Sequence, residues 1–260
     1  MSINVGDDGK AVHYPRNPNQ FEFDFEVAEA FDDMATRSIP LYHEQHRLHS
    51  KMAIRYYQTY RFATPSPISV LDVGCSTGNF LLEFATQYHE DSSLPQELKL
   101  VALDPSFEMC TKCADKLEGY DLEIAVKDAS YLSEFSRQFE IINLSYVYQF
   151  VPIHKRAGIF ADLYRATRSG GLVFFSQKFT HCDNSFPSNL IDSVVQGLYV
   201  DFRLGNGYTM QEIEAKTNAL KNSMWLQNDT DFVGQLGAAG FRVYPLTRWL
   251  SFGSYVALKP

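Results

Sequence analysis

The sequence of 260 residues contains only four cysteines, too few for the disulfide framework of a small secreted domain. It has no apolar run near the roughly 20 residues that cross a bilayer, so no membrane partner is expected. The opening residues, MSINVGDDGK, lack the basic and apolar regions of a signal peptide, and we expect a cytoplasmic protein. Basic residues number 23 against 31 acids, a net charge of −8. Because binding to a phosphate backbone depends on Lys and Arg, no nucleic-acid partner is expected.

Hydrophobic periodicity divides the chain into four parts. Residues 1–66 hold a polar tail and two lid helices, over 24–39 and 41–62, separated by Pro40. Residues 67–182 alternate strand and helix patterns, which predicts an α/β fold with a mostly parallel sheet covered by helices. Residues 183–239 form a helical insert that covers the acceptor. Residues 240–260 form an antiparallel strand pair that completes a seven-stranded sheet. Predicted core strands cover 68–73, 98–103, 122–126, 140–144 and 172–176.

A small-residue loop follows the first core strand in the run VLDVGCSTGNF, residues 70–80. Gly74 permits a tight turn and close approach of a ligand, and Gly78 lets the following helix pack near the strand. A dinucleotide-binding loop needs glycines at its first, third and sixth positions. Counted from Gly74, the third and sixth positions are Ser76 and Asn79. The loop therefore disfavours a pyrophosphate ligand.

Three acidic residues, Asp72, Asp104 and Asp128, stand at the ends of predicted strands. Asp104 lies 30 residues after Gly74, where a carboxylate accepts hydrogen bonds from two ribose hydroxyls. Asp128 follows the next strand, where an acid can bind an adenine amino group. Together the three acids suit a cationic sulfonium nucleoside and would repel the phosphates of a dinucleotide.

The order of these motifs over residues 68–177 resembles that of the class I S-adenosylmethionine (SAM) methyltransferases. The resemblance implies their Rossmann-like fold, SAM as the cofactor and S-adenosylhomocysteine as its product. Cofactor contacts are then expected from Tyr42, Asp72, Gly74, Cys75, Ser76, Gly78, Asp104, Pro105, Asp128, Ala129 and Asn143.

A larger part of the chain, roughly residues 23–259, is similar to the bacterial carboxy-SAM synthases. The similarity is carried by FD at 23–24, VAE at 27–29, Phe31, DM at 33–34, RS at 37–38, Pro40, Tyr42, GCS at 74–76, Asn143, QF at 149–150, KF at 178–179, DF at 201–202, NGY at 206–208, EI at 212–213 and FGSYVALK at 252–259. It implies a homodimeric enzyme that converts SAM and prephenate to carboxy-SAM and does not itself hold RNA.

Two positions depart from that family. After Glu212-Ile213 the family has a Lys-Arg pair whose Arg clamps the extra carboxylate of carboxy-SAM, whereas this chain has Lys216-Thr217. Threonine cannot form a bidentate, charge-assisted pair with a carboxylate. Gln177 also replaces a Glu of the family. We therefore expect ordinary SAM and methyl transfer to an O, N or C atom of a small molecule. The alternatives are a carboxy-SAM synthase with an altered clamp and a non-catalytic SAM-binding module.

The acceptor side of the site is less well defined. His154 and His181 follow predicted strands, where either can act as a general base or lie at the surface, and Tyr148 is a third catalytic candidate. Aromatic residues of the insert have two alternative roles: they line an acceptor pocket, or they pack the insert onto the sheet. The candidates for this pocket are Tyr199, Phe202, Arg203, Tyr208, Thr217 and Trp225.

No metal site is expected. His43, His46 and His49 recur every three residues, whereas helical zinc sites use histidines four apart with a third ligand elsewhere. Cys110-x-x-Cys113 has no second pair, so helix packing is favoured for it. The run Asn143-Leu144-Ser145-Tyr146 is similar to the Asn-Pro-Pro-Tyr of amino-group methyltransferases without its prolines, which favours a strand end whose Asn143 touches the cofactor.

Overall fold

The computed structural model describes residues 23–60, 68–180 and 188–260. The predicted tail, the predicted boundary near residue 66 and His181 lie outside these ranges. The helices are α1 (Phe25–Ser38), α2 (Tyr42–Tyr60), α3 (Asn79–His89), α4 (Phe107–Lys116), α5 (Arg156–Ala166), α6 (Ser188–Gly205), α7 (Met210–Leu220) and α8 (Asp229–Ala238). The strands are β1 (Ile68–Val73), β2 (Leu98–Asp104), β3 (Leu122–Val126), β4 (Phe139–Ser145), β5 (Thr167–Lys178), β6 (Arg242–Trp249) and β7 (Phe252–Leu258). Short 3₁₀ turns cover Ala129–Glu134, Tyr148–Phe150 and Ile153–Lys155.

Local sequence sets the ends of several helices. The Asp24 carboxylate caps α1 by accepting a 3.0 Å hydrogen bond from the backbone N–H of Val27. The helix ends where Ile39 becomes extended, because the residue before a proline disfavours helical backbone. Ser106 caps α4, and Thr209 caps α7 with a reciprocal hydrogen bond to Glu212.

The seven strands form one sheet in the order β3-β2-β1-β4-β5-β7-β6. All neighbouring pairs are parallel except those of β7, which is antiparallel to both β5 and β6. The predicted antiparallel pair at the end of the chain is therefore confirmed. Because the chain leaves β1 toward β2 on one side and later returns through β4 on the other, the sheet has a switch point beside β1. Ligands of such folds bind at the carboxyl ends of the strands at that point.

Two apolar layers cover the faces of the sheet. On one face, Ile68 and Val70 of β1 pack in a cluster with Phe80 and Phe84 of α3. On the other face, Leu71 of β1 belongs to the cluster that includes residues of α5 and α8. The alternation along β1 shows a strand buried on both sides, as expected for a parallel sheet.

Helices α1 and α7 pack together over the carboxyl edge of the sheet. Val27 and Met34 of α1 form a small apolar cluster with Ile213 of α7 and Met109 of α4. The cluster brings the first helix of the chain and the insert to the same edge. None of the helices in the described ranges is long and apolar enough to cross a bilayer.

Candidate active site

A cavity of about 950 Å³ lies at the carboxyl edge of the sheet, beneath α1, α6 and α7. Its wall includes eight of the eleven residues predicted for the cofactor: Tyr42, Asp72, Gly74, Cys75, Ser76, Asp104, Pro105 and Asn143. The loop residue Asn79 lies beside them. The wall also includes Tyr199, Arg203 and Thr217 from the predicted acceptor pocket. The cavity therefore joins residues from both halves of the predicted site.

The loop after β1 is folded tightly against the end of β2. The backbone N–H groups of Gly74 and Cys75 both donate to the carbonyl of Leu103, at 2.6 and 2.9 Å. Gly74 has a φ of +69°, and a Cβ on it would lie 2.3 Å from a methyl group of Val147. Glycine is required here because a side chain would clash and because the left-handed conformation disfavours other residues.

Asp104 completes this corner from the end of β2. One of its carboxylate oxygens accepts a hydrogen bond from the N–H of Ser76 and the other from the N–H of Ser106, each at 2.9 Å. Burial raises the pKa of Asp104, and the two backbone donors oppose that effect. Each oxygen keeps a second lone pair, so the carboxylate can also accept hydroxyl donors from the cavity.

A buried polar chain links Asp72 to β4. The side-chain amide of Asn143 donates a 2.7 Å hydrogen bond to Asp72, and the hydroxyl of Ser145 donates at 2.9 Å to the amide oxygen of Asn143. Burial raises the pKa of Asp72 to about 7, the bond from Asn143 favours its charged form, and the nearby Asp104 disfavours it. The chain holds a carboxyl group that titrates near neutrality in the cavity wall.

Asp32 ties α1 to the loop after β1, a role that the sequence did not reveal. Its carboxylate accepts hydrogen bonds from Thr77 at 2.5 Å, Asn79 at 2.8 Å and the ammonium group of Lys116 at 2.8 Å. Burial would raise the pKa of Asp32, but these hydrogen bonds outweigh it and lower the pKa. The contact fixes α1 as a cover over the loop.

The residues at this corner fit the nucleoside of SAM. The buried carboxylate of Asp104 matches a pair of ribose hydroxyls, and Gly74 leaves room for close approach to the backbone. Asp72 adds negative charge where a cationic ligand benefits. Tyr42, whose hydroxyl accepts from Asn79 at 3.2 Å, closes the cavity from α2.

Four cations line the part of the cavity formed by β5, α6 and α7: Lys178, Arg203, Lys216 and, at the end of α7, Lys221. Lys178 and Arg203 both lie over the ring of Tyr199, at 4.5 and 4.3 Å from its centroid. Lys216 donates to the hydroxyl of Ser38 at 3.2 Å. The sequence singled out Arg203 as a pocket residue, whereas the position of the three lysines in the cavity wall follows from the structure.

Three residues predicted to bind the cofactor lie outside the cavity wall. Gly78 caps α3 with a φ of +82°, and a Cβ there would lie 2.9 Å from the Sγ of Cys113, so its role is helix packing. Asp128 caps a 3₁₀ turn by accepting from the N–H and hydroxyl of Ser130. Ala129 packs in the apolar core. Adenine binding by Asp128 stays a prediction.

Two of the three catalytic candidates lie outside the cavity wall. Tyr148 is buried in the core, where its ring stacks on Phe160 and its hydroxyl donates to Gln235 at 2.7 Å. His154 is exposed on a 3₁₀ turn. His181 lies outside the described residues.

Three pocket candidates pack the insert rather than line the cavity. Phe202 lies against Trp249, and the hydroxyl of Tyr208 donates to the carbonyl of Met34. Trp225 holds the loop after α7 in place through its backbone: its N–H donates to the carbonyl of Gln149. Phe202 and Tyr208 support the alternative in which insert aromatics serve packing.

Comparisons with known proteins agree with this geometry. Residues 70–171 match the family model described as a methyltransferase domain. The carboxy-S-adenosyl-L-methionine synthase of Campylobacter jejuni subsp. doylei is 30% identical over 249 residues, covering 95% of this chain and 97% of that protein. The enzyme of the same name from Nitratiruptor is 32% identical over 243 residues, covering 92% and 93%.

Among solved structures, the CurJ carbon methyltransferase superposes with a TM-score of 0.64 over 94% of this chain and 61% of that one, at 14% identity. At that identity the likeness shows the fold alone. With the seven-stranded sheet, these similarities confirm the predicted Rossmann-like class I methyltransferase fold.

Proposed function

The chain belongs to the carboxy-S-adenosyl-L-methionine synthase family, within the class I methyltransferases, and from that premise we propose that it methylates a small-molecule acceptor. It is a SAM-dependent enzyme with SAM as its cofactor. In the proposed reaction the acceptor receives the methyl group on an O, N or C atom, and S-adenosylhomocysteine is released.

The observation that carries the proposal is the position of Thr217. It lines the cavity from α7, and its hydroxyl donates a 2.6 Å hydrogen bond back to the carbonyl of Ile213. The side chain is thus occupied within its own helix and supplies no cation for an additional carboxylate. Burying such a carboxylate without a cationic partner is costly, which favours plain SAM over carboxy-SAM.

The protein's contribution to methyl transfer is orientation. Bound SAM supplies an electrophilic methyl group on a positively charged sulfur. The corner built by Gly74 and Asp104 would hold the nucleoside, and α1, α6 and α7 cover the cavity and exclude water. Holding the acceptor in line at about 3 Å supplies most of the rate enhancement such a displacement needs. The binding roles of these residues belong to the proposal.

A second candidate function is carboxy-SAM synthesis. It is supported by the names of the relatives and by the cations Lys178, Arg203 and Lys216 in the same cavity. One of these would have to reach the cofactor to replace the guanidinium that is missing at position 217. On a helix, Lys216 and Thr217 point about 100° apart, so the lysine does not simply take over the position.

We propose further that the enzyme works in the cytoplasm as a homodimer. Supporting the dimer, α6 exposes a row of apolar side chains: Leu190, Ile191, Val194 and Leu198. Four apolar residues along one helix face are typical of an interface. Light scattering of the purified protein tests the proposed dimer. We expect the wild type to be a dimer and the Val194→Glu variant to be a monomer. A monomeric wild type would contradict the proposal.

Calorimetry and transfer of label test the proposed activity. Protein stripped of endogenous nucleoside should bind SAM and S-adenosylhomocysteine without added metal, and should pass label from methyl-labelled SAM to a compound in a panel of metabolites. If the protein binds neither SAM nor S-adenosylhomocysteine, the proposal is overturned. Tight binding without any transfer would instead support the non-catalytic SAM-binding module.

A further inference from the structure

Three free cysteines, here called the thiol cluster, meet between the loop after β1 and helix α4. Cys75 lies in the loop, and Cys110 and Cys113 lie three residues apart on one face of α4. The side chains of both helix cysteines contact the thiol of Cys75. Loop and helix approach closely here: a Cβ added at Gly78 would lie 3.4 Å from the Cα of Cys113, and the N–H of Gly78 donates to the carbonyl of Cys75 at 2.9 Å.

The members of the thiol cluster differ in their surroundings. Cys113 is fully buried in the apolar layer beside α3. Cys75 lines the cavity, so a small solute in the cavity reaches it. Cys110 is buried at the end of β2, with its Sγ 3.5 Å from the carbonyl oxygen of Asp104. Among the residues that the structure describes, no group of three or more His, Cys, Asp or Glu side chains could hold a metal ion, which leaves thiol oxidation as the chemistry of this cluster.

The thiols of Cys75 and Cys110 differ in acidity. Cys110 belongs to the first turn of α4, which Ser106 caps, and the dipole of a helix favours a thiolate at that end. The hydrogen bond from the thiol of Cys75 lowers the pKa of Cys110, although burial and the charge of Asp104 oppose the shift. Contact with the two helix thiols, together with burial, raises the pKa of Cys75. Because thiolates rather than thiols attack oxidants, Cys110 is the better nucleophile of the pair.

We propose that the thiol cluster is an oxidation site at which hydrogen peroxide joins Cys110 to Cys75 in a disulfide. The thiolate of Cys110 attacks one oxygen of the peroxide, the O–O bond breaks, and hydroxide leaves and takes up the proton that the thiol had released. The resulting sulfenic acid is attacked by the sulfur of Cys75, and its hydroxyl group leaves as water with the proton of that thiol. Two thiols are oxidised and one peroxide is reduced to two waters.

The disulfide should close the nucleoside corner of the cavity. Cys75 stands between Gly74 and Ser76, whose φ angles of +69° and +50° leave the loop little freedom to adjust. A covalent bond draws two sulfur atoms closer than contact between thiols does, so the loop must shift toward α4. This consequence rests on the proposed binding of the nucleoside, whereas formation of the disulfide does not. A bound nucleoside would in turn cover Cys75 and slow the oxidation.

Oxidation of the intact protein tests the inference. Protein treated with a millimolar excess of hydrogen peroxide is alkylated and digested, and its peptides are mapped by mass spectrometry. We expect a peptide pair joined through Cys75 and Cys110, formed at least threefold more slowly in protein saturated with S-adenosylhomocysteine. Calorimetry should show at least tenfold weaker binding of S-adenosylhomocysteine after oxidation, and dithiothreitol should restore it.

Two matched variants identify the reacting cysteine. Cys110→Ser should abolish both the disulfide and the loss of binding, whereas Cys113→Ala should keep both, since it removes the neighbouring thiol on the same helix. In the reduced state each should bind S-adenosylhomocysteine within twofold of the wild type, which shows that the variants are folded. The peptide map of the wild type decides the pairing even if a variant does not fold.

Three results would overturn the inference. The first is a wild-type map in which Cys75 stays reduced or pairs instead with Cys113 or with Cys182, which lies outside the described residues. The second is oxidation of Cys110 to a sulfinic acid without a disulfide. The third is a Cys75–Cys110 disulfide that leaves binding of S-adenosylhomocysteine unchanged. If the reduced protein binds neither SAM nor S-adenosylhomocysteine, the proposed function fails, and the peptide map still decides whether the disulfide forms.

Discussion

The carboxylate of Asp104 accepts a 2.9 Å hydrogen bond from the backbone N–H of Ser76, which fastens the loop after β1 to the end of β2. Ser76 itself adopts a left-handed conformation, with a φ of +50°. A non-glycine residue with such backbone is strained, and strain of this kind is concentrated at ligand sites. The bond therefore shapes the loop as well as placing a carboxylate toward the cavity.

Replacing Asp104 by Ala should weaken binding of SAM by about 1–3 kcal/mol, the cost of losing hydrogen bonds to a charged group. Calorimetry at fixed pH measures the loss. Asp121→Ala, which removes an exposed acid before β3, should leave the affinity within twofold. Unchanged binding in the Asp104 variant would mean that this residue does not face the ribose.

Asp72 should make the binding of SAM depend on pH. Because its pKa is about 7 and that of a free carboxyl group is far lower, Asp72 is ionised above neutrality and neutral below it. SAM carries one more positive charge than S-adenosylhomocysteine. The affinity for SAM divided by the affinity for S-adenosylhomocysteine should therefore fall as pH decreases from 8 to 6. Asp72→Asn should flatten this dependence. A ratio that is constant across the range in the wild type would contradict the account.

Gly78→Ala should destabilise the fold by about 2–4 kcal/mol. The substitution combines a left-handed backbone with a Cβ only 2.9 Å from the Sγ of Cys113. Gly119→Ala is the matched control, since Gly119 also has a positive φ but an added Cβ would meet nothing within 4 Å. We expect this variant to lose about 1–2 kcal/mol of stability. Denaturant unfolding measures both. Equal losses would show that packing against α4 contributes nothing.

Thr217→Arg should narrow or reverse the preference for SAM over carboxy-SAM, by up to about 2–3 kcal/mol if the guanidinium reaches the extra carboxylate. Competitive binding of the two nucleosides to both proteins measures it. Thr217→Gln controls for the longer side chain without adding charge and should leave the preference as in the wild type. A matching shift in the Gln variant would show that charge is not the cause.

Much of the fold could be predicted from sequence because its strands are short apolar runs between clear breaks. The bounds of β1 and β3 match the prediction, and the order of elements was sufficient to predict the parallel sheet with an antiparallel end. The strand β5 extends five residues earlier than predicted, through Gly170 and Gly171, because sheet pairing holds these glycines extended despite their low strand propensity.

The site was only partly predictable. The position of Asp72 and Asp104 at the carboxyl ends of their strands, where the cavity lies, could be predicted because the local pattern indicates where strands end. Asp32 was missed because its partners lie 45 residues or more away in sequence, beyond any local period. The sequence does not show that the 3₁₀ turn after β4 directs Tyr148 into the core rather than toward the cavity.

The central claim, that this enzyme uses plain SAM as a methyl donor, is tested most directly by the mass of the nucleoside that the purified protein releases on denaturation. The account predicts SAM or S-adenosylhomocysteine. Release of carboxy-SAM, heavier than SAM by the mass of one carbon dioxide, would contradict it and would assign the chain to carboxy-SAM synthesis with a clamp other than residue 217.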